Sequence, residues 1–223
     1  MRIFLFLVLL LIPMPLMACG LALLLAVDVS GSVDREEYAI QMIGLADALR
    51  DGIVADALVS QQANVSLLQW TGSTRQSQSI PWTSIKSHSD VIALADRIEA
   101  EPRAWRNYST AIGEALEASL ASMAPMVHCG RKVVDVSGDG ISNEGVEPAE
   151  IRNQLNRAGV TVNAIAIETG TDDLTGYFFE HVITGEGAFV FRAAGFDDYP
   201  EQIRKKLQRE TTERTSSLIN GSP

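Results

Sequence analysis

The 223-residue chain predicts an α/β sandwich folded as one domain. Three observations lead there. Strand-like and helix-like segments alternate from Leu21 onward, as in sheets built from right-handed crossovers. The apolar run at 21–29 is nearly continuous rather than alternating, which marks a strand covered on both faces, and 132–136 reads as a second buried strand. No linker, internal repeat or low-complexity stretch divides the chain, and its length suffices for one full core.

The first strand, 21–29, carries a single acid, Asp28, near its end. A helix follows over 34–50: Asp34 and Glu37 have capping-box spacing, and Tyr38, Met42, Leu45 and Leu49 recur at helical intervals. Segments 64–70 and 78–85 read as an antiparallel hairpin joined across Thr71-Gly72-Ser73. Helices are expected at 90–100 and 111–123, and a second buried strand at 132–136. Pro148 suits a first helical turn, and that helix runs to Ala158 before Gly159 ends it. Strands at 161–167 and 189–192 and an amphipathic helix at 198–209 complete the set. The domain is expected over 19–211, with a frayed polar tail over 212–223.

Segment 1–18 reads as a separate unit. Arg2 precedes an unbroken apolar run over 3–12, and a breaker-rich stretch follows to Ala18. That is the layout of a secretory signal peptide, too short to span a bilayer comfortably. The competing reading is a buried core strand or helix. No other stretch is long and apolar enough to cross a membrane, so an exported protein, periplasmic or extracellular, is expected. Leu16-Met17-Ala18-Cys19 also has the form of a lipoprotein signal, with Met17 atypical, which would make Cys19 an acylated membrane anchor. The composition, 46% hydrophobic and 21% charged, is ordinary, and the net charge of -10 argues against nucleic acid as a partner.

The strongest local signal is Asp28-Val29-Ser30-Gly31-Ser32, at the end of the first buried strand. In open parallel sheets ligands bind beyond the carboxyl ends of strands, near the point where strand order reverses. A carboxylate and two hydroxyls spaced two apart can converge there on a hard cation, and oxygen-only ligands suit Mg2+, Ca2+ or Mn2+ rather than zinc. A second signal, Gly138-Asp139-Gly140 with Ser142 and Asn143, ends the second buried strand; its glycines are expected to permit a tight turn. The third, Ser109-Thr110, is a hydroxyl pair opening a helix. Each alone is also explained by ordinary capping and turn chemistry.

Together, in this order, the three segments resemble the metal-ion-dependent adhesion site of von Willebrand factor A domains. The Asp-x-Ser-x-Ser motif matches Asp28, Ser30 and Ser32; Thr110 precedes Ala115-Leu116 at the family's spacing; Asp139-Gly140 with Asn143 matches the second aspartate. The likeness extends over roughly 21–209. It implies a three-layer α/β/α, Rossmann-like fold with a six-stranded, mostly parallel sheet, one antiparallel edge strand, and the two aspartate-bearing strands adjacent. It also implies a divalent cation, Mg2+ first, held by Asp28, Ser30, Ser32, Thr110 and Asp139, with an open position for a carboxylate of a protein partner. Asp135-Val136-Ser137-Gly138-Asp139-Gly140, Trp70-Thr71-Gly72 and Pro81-Trp82-Thr83 resemble an exported bacterial branch of that family whose function is not known.

Further expectations rest on this resemblance. If the aspartate strands are neighbours, Cys19 and Cys129, nine and ten residues upstream of Asp28 and Asp139, fall at the same end of the pair. A disulfide is then favoured over acylation of Cys19, closing a loop of about 110 residues that contributes on the order of 4 kcal/mol. Asp135 lies within an otherwise apolar strand and needs a partner, for which Asn163, Thr161, Arg131 and Lys132 are candidates. Trp105, Arg106 and Asn107, just before Thr110, are candidate partner-binding rim residues. Glu168, Asp172 and Asp173 follow another strand and are candidates for the rim of the same face, though a solvated acidic loop is the favoured reading. His88, His128 and His181 lack ligand spacing. The expected function is carboxylate capture rather than catalysis. A metal-dependent hydrolase or phosphatase would want a second carboxylate where Ser30 stands, and no nucleophile elbow, P-loop or dinucleotide fingerprint is present. The remaining alternative is a fold that keeps its ion for structure alone.

Overall fold

Eight consecutive residues, Leu21–Asp28, form a strand (β1) with no solvent-exposed position, so β1 must lie at the centre of a covered sheet. Its odd-numbered residues, Leu21 to Val27, join an apolar core on one face, and Ala22, Leu24 and Ala26 join another on the opposite face. A computed structural model describes residues 19–212. The expected signal peptide at 1–18, and the tail beyond Thr212, lie outside the described residues.

The remaining elements follow in alternation: α1 (Arg35–Arg50), α2 (Gly52–Ser60), β2 (Asn64–Trp70), β3 (Gln76–Ser84), α3 (His88–Ala100), α4 (Ile112–Met123), β4 (Arg131–Gly138), α5 (Pro148–Arg157), β5 (Val160–Ile167), α6 (Leu174–His181), β6 (Val190–Ala193) and α7 (Tyr199–Thr212). They form one six-stranded sheet in the order β3-β2-β1-β4-β5-β6. Every pairing is parallel except β2 with β3, which makes β3 the antiparallel edge strand. Residues from α1, α2, α3 and α7 fill one core, and residues from α4, α5 and α6 the other. Each buried Leu or Val contributes roughly 1.5–3 kcal/mol, so a strand feeding both cores anchors the whole sandwich.

Two helices are missing from the sequence expectation. α2 begins at Gly52 directly after α1, and Asp51 makes that break by accepting from the amides of Ile53 and Val54. α6 spans eight residues around an internal glycine, too short for periodicity to reveal, and Asp173 caps it. Asp173 is therefore a cap rather than part of a solvated loop. The predicted capping box of α1 is present, with Asp34 and Glu37 each binding the other's backbone.

β1 and β4 are neighbours, with Leu25 opposite Asp135. The register offset of this pair places Cys19 level with Cys129, and the two form a disulfide across Cα atoms 4.6 Å apart. With its sulfur in that bond, Cys19 offers none for acylation. These sulfurs, with His128, form the one cluster of three metal-type ligands among the described residues, and the disulfide removes both as thiolate ligands.

Asp135 is satisfied by none of the four expected candidates. Its Oδ1 lies 2.6 Å from the ammonium of Lys206 on α7, which also lies 2.9 Å from Glu210 Oε1. Lys132 is spent on the carbonyl of Ala158, Arg131 on that of Glu210, and Asn163 on the Glu210 carboxyl. The reason is directional. Asp135 points to the α1–α7 side of the sheet, where Lys206 has no exposed surface.

Candidate metal site at the β1–β4 switch

In the strand order, β1 and β4 are the pair at which the direction of winding reverses, and their carboxyl ends therefore open a crevice. Asp28 ends β1 and Asp139 follows β4 directly. Asp28 is fully buried; its Oδ1 accepts from the amide of Ser30 at 2.7 Å, while Oδ2 has no hydrogen-bond partner. Burial first, and then the charge of Asp139, push the Asp28 carboxyl up to about 7. Burial also raises Asp139. Such a pair of desolvated acids is costly unless a positive charge or a proton is shared.

The hydroxyls complete the arrangement. Ser30 Oγ lies 3.1 Å from Ser32 Oγ, and Ser32 Oγ donates to Asp139 Oδ1 at 2.7 Å. Ser30 is buried and Ser32 exposed, so the group is closed beneath and open above. Thr110 does not cap α4. Its hydroxyl stands 3.9 Å from where a side chain on Gly140 would begin, and α4 takes the Ser142 hydroxyl at its first amide instead. Asn143 holds Thr110 from both sides, accepting from its amide through Oδ1 and donating its own amide to the Thr110 carbonyl. The end of β2 supports the same loop, because Thr71 bonds the Ser109 carbonyl through its hydroxyl and the Ala111 amide through its carbonyl. This gives Trp70-Thr71-Gly72 a local structural role.

Gly138 and Gly140 serve a different purpose from the one expected. Neither has a left-handed φ, so the turn does not need their conformational freedom. A side chain on Gly138 would begin 3.2 Å from Asp28 Oδ2, and glycine there lets the two strand ends approach.

Two supporting residues were missed. Gln41 of α1 is buried, donates to the Asp28 carbonyl at 3.3 Å and lies 3.4 Å from the Ser137 hydroxyl, tying α1 to both strand ends. It falls on the same helical stripe as Tyr38 and Leu45, which is the signal that could have found it. Arg103 donates to the carbonyls of Val29, Ser30 and Asp34 and so fixes the loop carrying the serines. A lone arginine in an irregular segment offers no such signal.

Of the expected rim residues, Trp105 packs half-buried against the core. Arg106 and Asn107 are exposed and line a cavity beside Gly31. Glu168 and Asp172 share a small cavity with Asp139 and so do border this site, with Glu168 paired to Arg192 and Thr175.

Comparison with known proteins places this geometry. A family model described as "Protein of unknown function (DUF1194)" matches residues 18–215. No curated protein matches the chain by sequence. Among solved structures, proximal thread matrix protein 1 from the mussel byssus, in a form with a zinc-occupied MIDAS motif, superposes with a TM-score of 0.66 at 18% identity, covering 87% of this chain and 46% of that one. The pilus adhesin SpaC from Lactobacillus rhamnosus GG gives 0.62 at 13% identity, covering 86% and 31%. A von Willebrand factor type A protein from Catenulispora acidiphila gives 0.58 at 13% identity, covering 86% and 43%. This chain thus spans less than half the length of each. At these identities the likeness establishes the fold, which is that of von Willebrand factor A domains. The chain accordingly belongs to the DUF1194 family, on a von Willebrand factor A scaffold.

Proposed function

We propose that this protein is an exported binding domain that captures an acidic group of a protein partner through a divalent cation. Asp28, Ser30, Ser32, Thr110 and Asp139 would hold the ion, and the open side above Ser32 would receive the partner's carboxylate. The observation that carries this reading is Asp28 Oδ2, a buried carboxylate oxygen with no partner, facing a second acid across a hydroxyl relay. A cation there would supply the missing charge. With only two carboxylates in the set it would keep enough positive character to attract a third.

The donors are all oxygen, which favours Mg2+, with Ca2+ and Mn2+ next. The zinc-occupied motif of the mussel protein supports a divalent ion at the corresponding place. The pilus adhesin supports protein binding, and its surface role is consistent with export. Among the described residues no helix is long and apolar enough to cross a membrane. Binding is preferred to hydrolysis because a hydroxyl, Ser30, stands where phosphoryl-transfer chemistry would want its second acid.

Calorimetric titration of the purified domain with Mg2+, Ca2+, Mn2+ and Zn2+ tests the reading. Saturable binding is expected in the wild type, weakened about 10- to 100-fold or more in Asp28→Ala, the lower range being the cost of removing a partner that acts through water or another ligand. Binding indifferent to Asp28 would remove the site. Capture of an envelope protein that is released by chelator supports partner binding; ion binding without any chelator-sensitive partner would leave a structural ion.

A further inference from the structure

The serine loop borders a second feature. Gly31, between Ser30 and Ser32, also lines a cavity of about 530 Å3 to which three arginines contribute, Arg35, Arg103 and Arg106. Arg35 opens α1, while Arg103 and Arg106 come from the strap between α3 and α4. None of the three is ion-paired to a carboxylate among the described residues. Arg103 uses both Nη atoms on backbone carbonyls, and its buried Nε has no partner. The single acid in the wall, Asp34, is occupied as the cap of α1. In a chain of net charge -10 this is a local reversal of sign. It sits on one side of the proposed metal site, whereas Glu168 and Asp172 lie with Asp139 on the other.

We propose that the Arg35–Arg103–Arg106 cavity is a second carboxylate subsite, so that the partner offers an acidic segment with two carboxylates, one for the cation and one for the arginines. For its first carboxylate this rests on the function proposed above; the cavity itself does not need the ion. The two features share the serine loop through Gly31, so one chain can span them. An extended peptide advances about 3.3 Å per residue, so a second acid one or two residues along from the first reaches past Gly31. The arginine fork matches a carboxylate. Tyr38 and Pro102, also in the wall, fit the methylene stem of an acidic side chain better than a fully hydrated phosphate.

The test is an amide NMR titration of the full domain, with Mg2+ and then with chelator. The probes are two capped peptides, Gly-Gly-Asp-Gly-Gly-Gly and Gly-Gly-Asp-Gly-Asp-Gly. With Mg2+ the two-acid peptide is expected to bind on the order of fivefold tighter, the scale of one or two solvent-exposed charge pairs. The Arg35→Ser/Arg106→Ser double variant, both residues being exposed, should erase that gain and leave the one-acid peptide unchanged. With chelator, both peptides should still perturb residues 103–107 through the arginine cavity, and the advantage of the two-acid peptide should be lost. If no ion binds at all, those perturbations persist and only the metal reading falls. Equal affinities for the two peptides, a gain that survives the double variant, or inorganic phosphate binding the cavity more tightly than the peptide would each overturn the proposal.

Discussion

Asp28, at the end of β1, and Asp135, within β4, stand on adjacent strands, and both are excluded from solvent. The chain treats them differently. Asp135 is given an ammonium of its own, Lys206, and a neighbouring acid, Glu210, which burial and then the charge of Asp135 push well above the usual carboxylate range. One lysine therefore stands between two acids, one of which, Glu210, is biased toward its protonated form. Asp28 has no ion-pair partner among the described residues, and the charge of another acid, Asp139, adds to the cost of ionising it. A buried acid with an ammonium beside it is explained within the chain, whereas the unpartnered Oδ2 of Asp28 is what the proposed cation would explain.

The largest expected effect tests the completed half of that contrast. Lys206→Met keeps the volume of the side chain and strands two acids in the core. It should destabilise the domain by about 3–5 kcal/mol, the usual cost of breaking a buried pair from one side, as measured by urea denaturation. Neutralising all three groups, with Asp135→Asn and Glu210→Gln added, should recover most of the loss. A Lys206→Met variant as stable as wild type would mean that Asp135 does not depend on this lysine.

A smaller effect of opposite sign is expected at the incomplete half. In chelator, Asp28→Asn removes a charge that nothing balances and should stabilise the ion-free domain by about 1–3 kcal/mol, the scale of an unsatisfied buried polar group. The same substitution should abolish the rise in Tm that Mg2+ gives the wild type, a rise worth about 2.7 kcal/mol when the ion is at 100 times its Kd. If Asp28→Asn instead destabilises the ion-free domain, the carboxylate is structurally satisfied and the contrast with Asp135 fails.

These two acids also show what could be read along the chain. Asp28, Ser30 and Ser32 are legible because their geometry is local: alternate residues at a strand end. Asp139 and Thr110 became legible through their order and spacing, and adjacency of β1 and β4 carried the cysteine pairing with it. The partner of Asp135 was not legible, because it arrives from 71 residues further along on a helix whose lysine would ordinarily face water. A trace existed. Tyr199, Ile203, Lys206 and Glu210 share one helical face, so the apolar stripe of α7 already contained two charges in search of an acid and a base. Arg106 was legible as a rim candidate, but its convergence with Arg35 and Arg103 was not, since Arg35 opens α1 while the strap carrying the other two has no periodicity.

The last test separates the two halves by pH. In the ion-free domain the Asp28 carboxyl is raised to about 7 from an ordinary value near 4. The folded state then holds this proton more tightly than the unfolded state does, so the stabilisation is fully present below about pH 4 and is lost as pH rises through about 7. Unfolding free energy in chelator should therefore fall between pH 5 and 8. Asp28→Asn should flatten part of that slope, leaving the contribution of Glu210, which has the same sign. With saturating Mg2+ the dependence should reverse, because the ion binds only the deprotonated site and weakens as Asp28 takes up its proton. Denaturation curves at four pH values, with and without ion, decide the matter. An identical slope in wild type and Asp28→Asn would place the titrating group elsewhere, and the charge shortfall at the end of β1 with it.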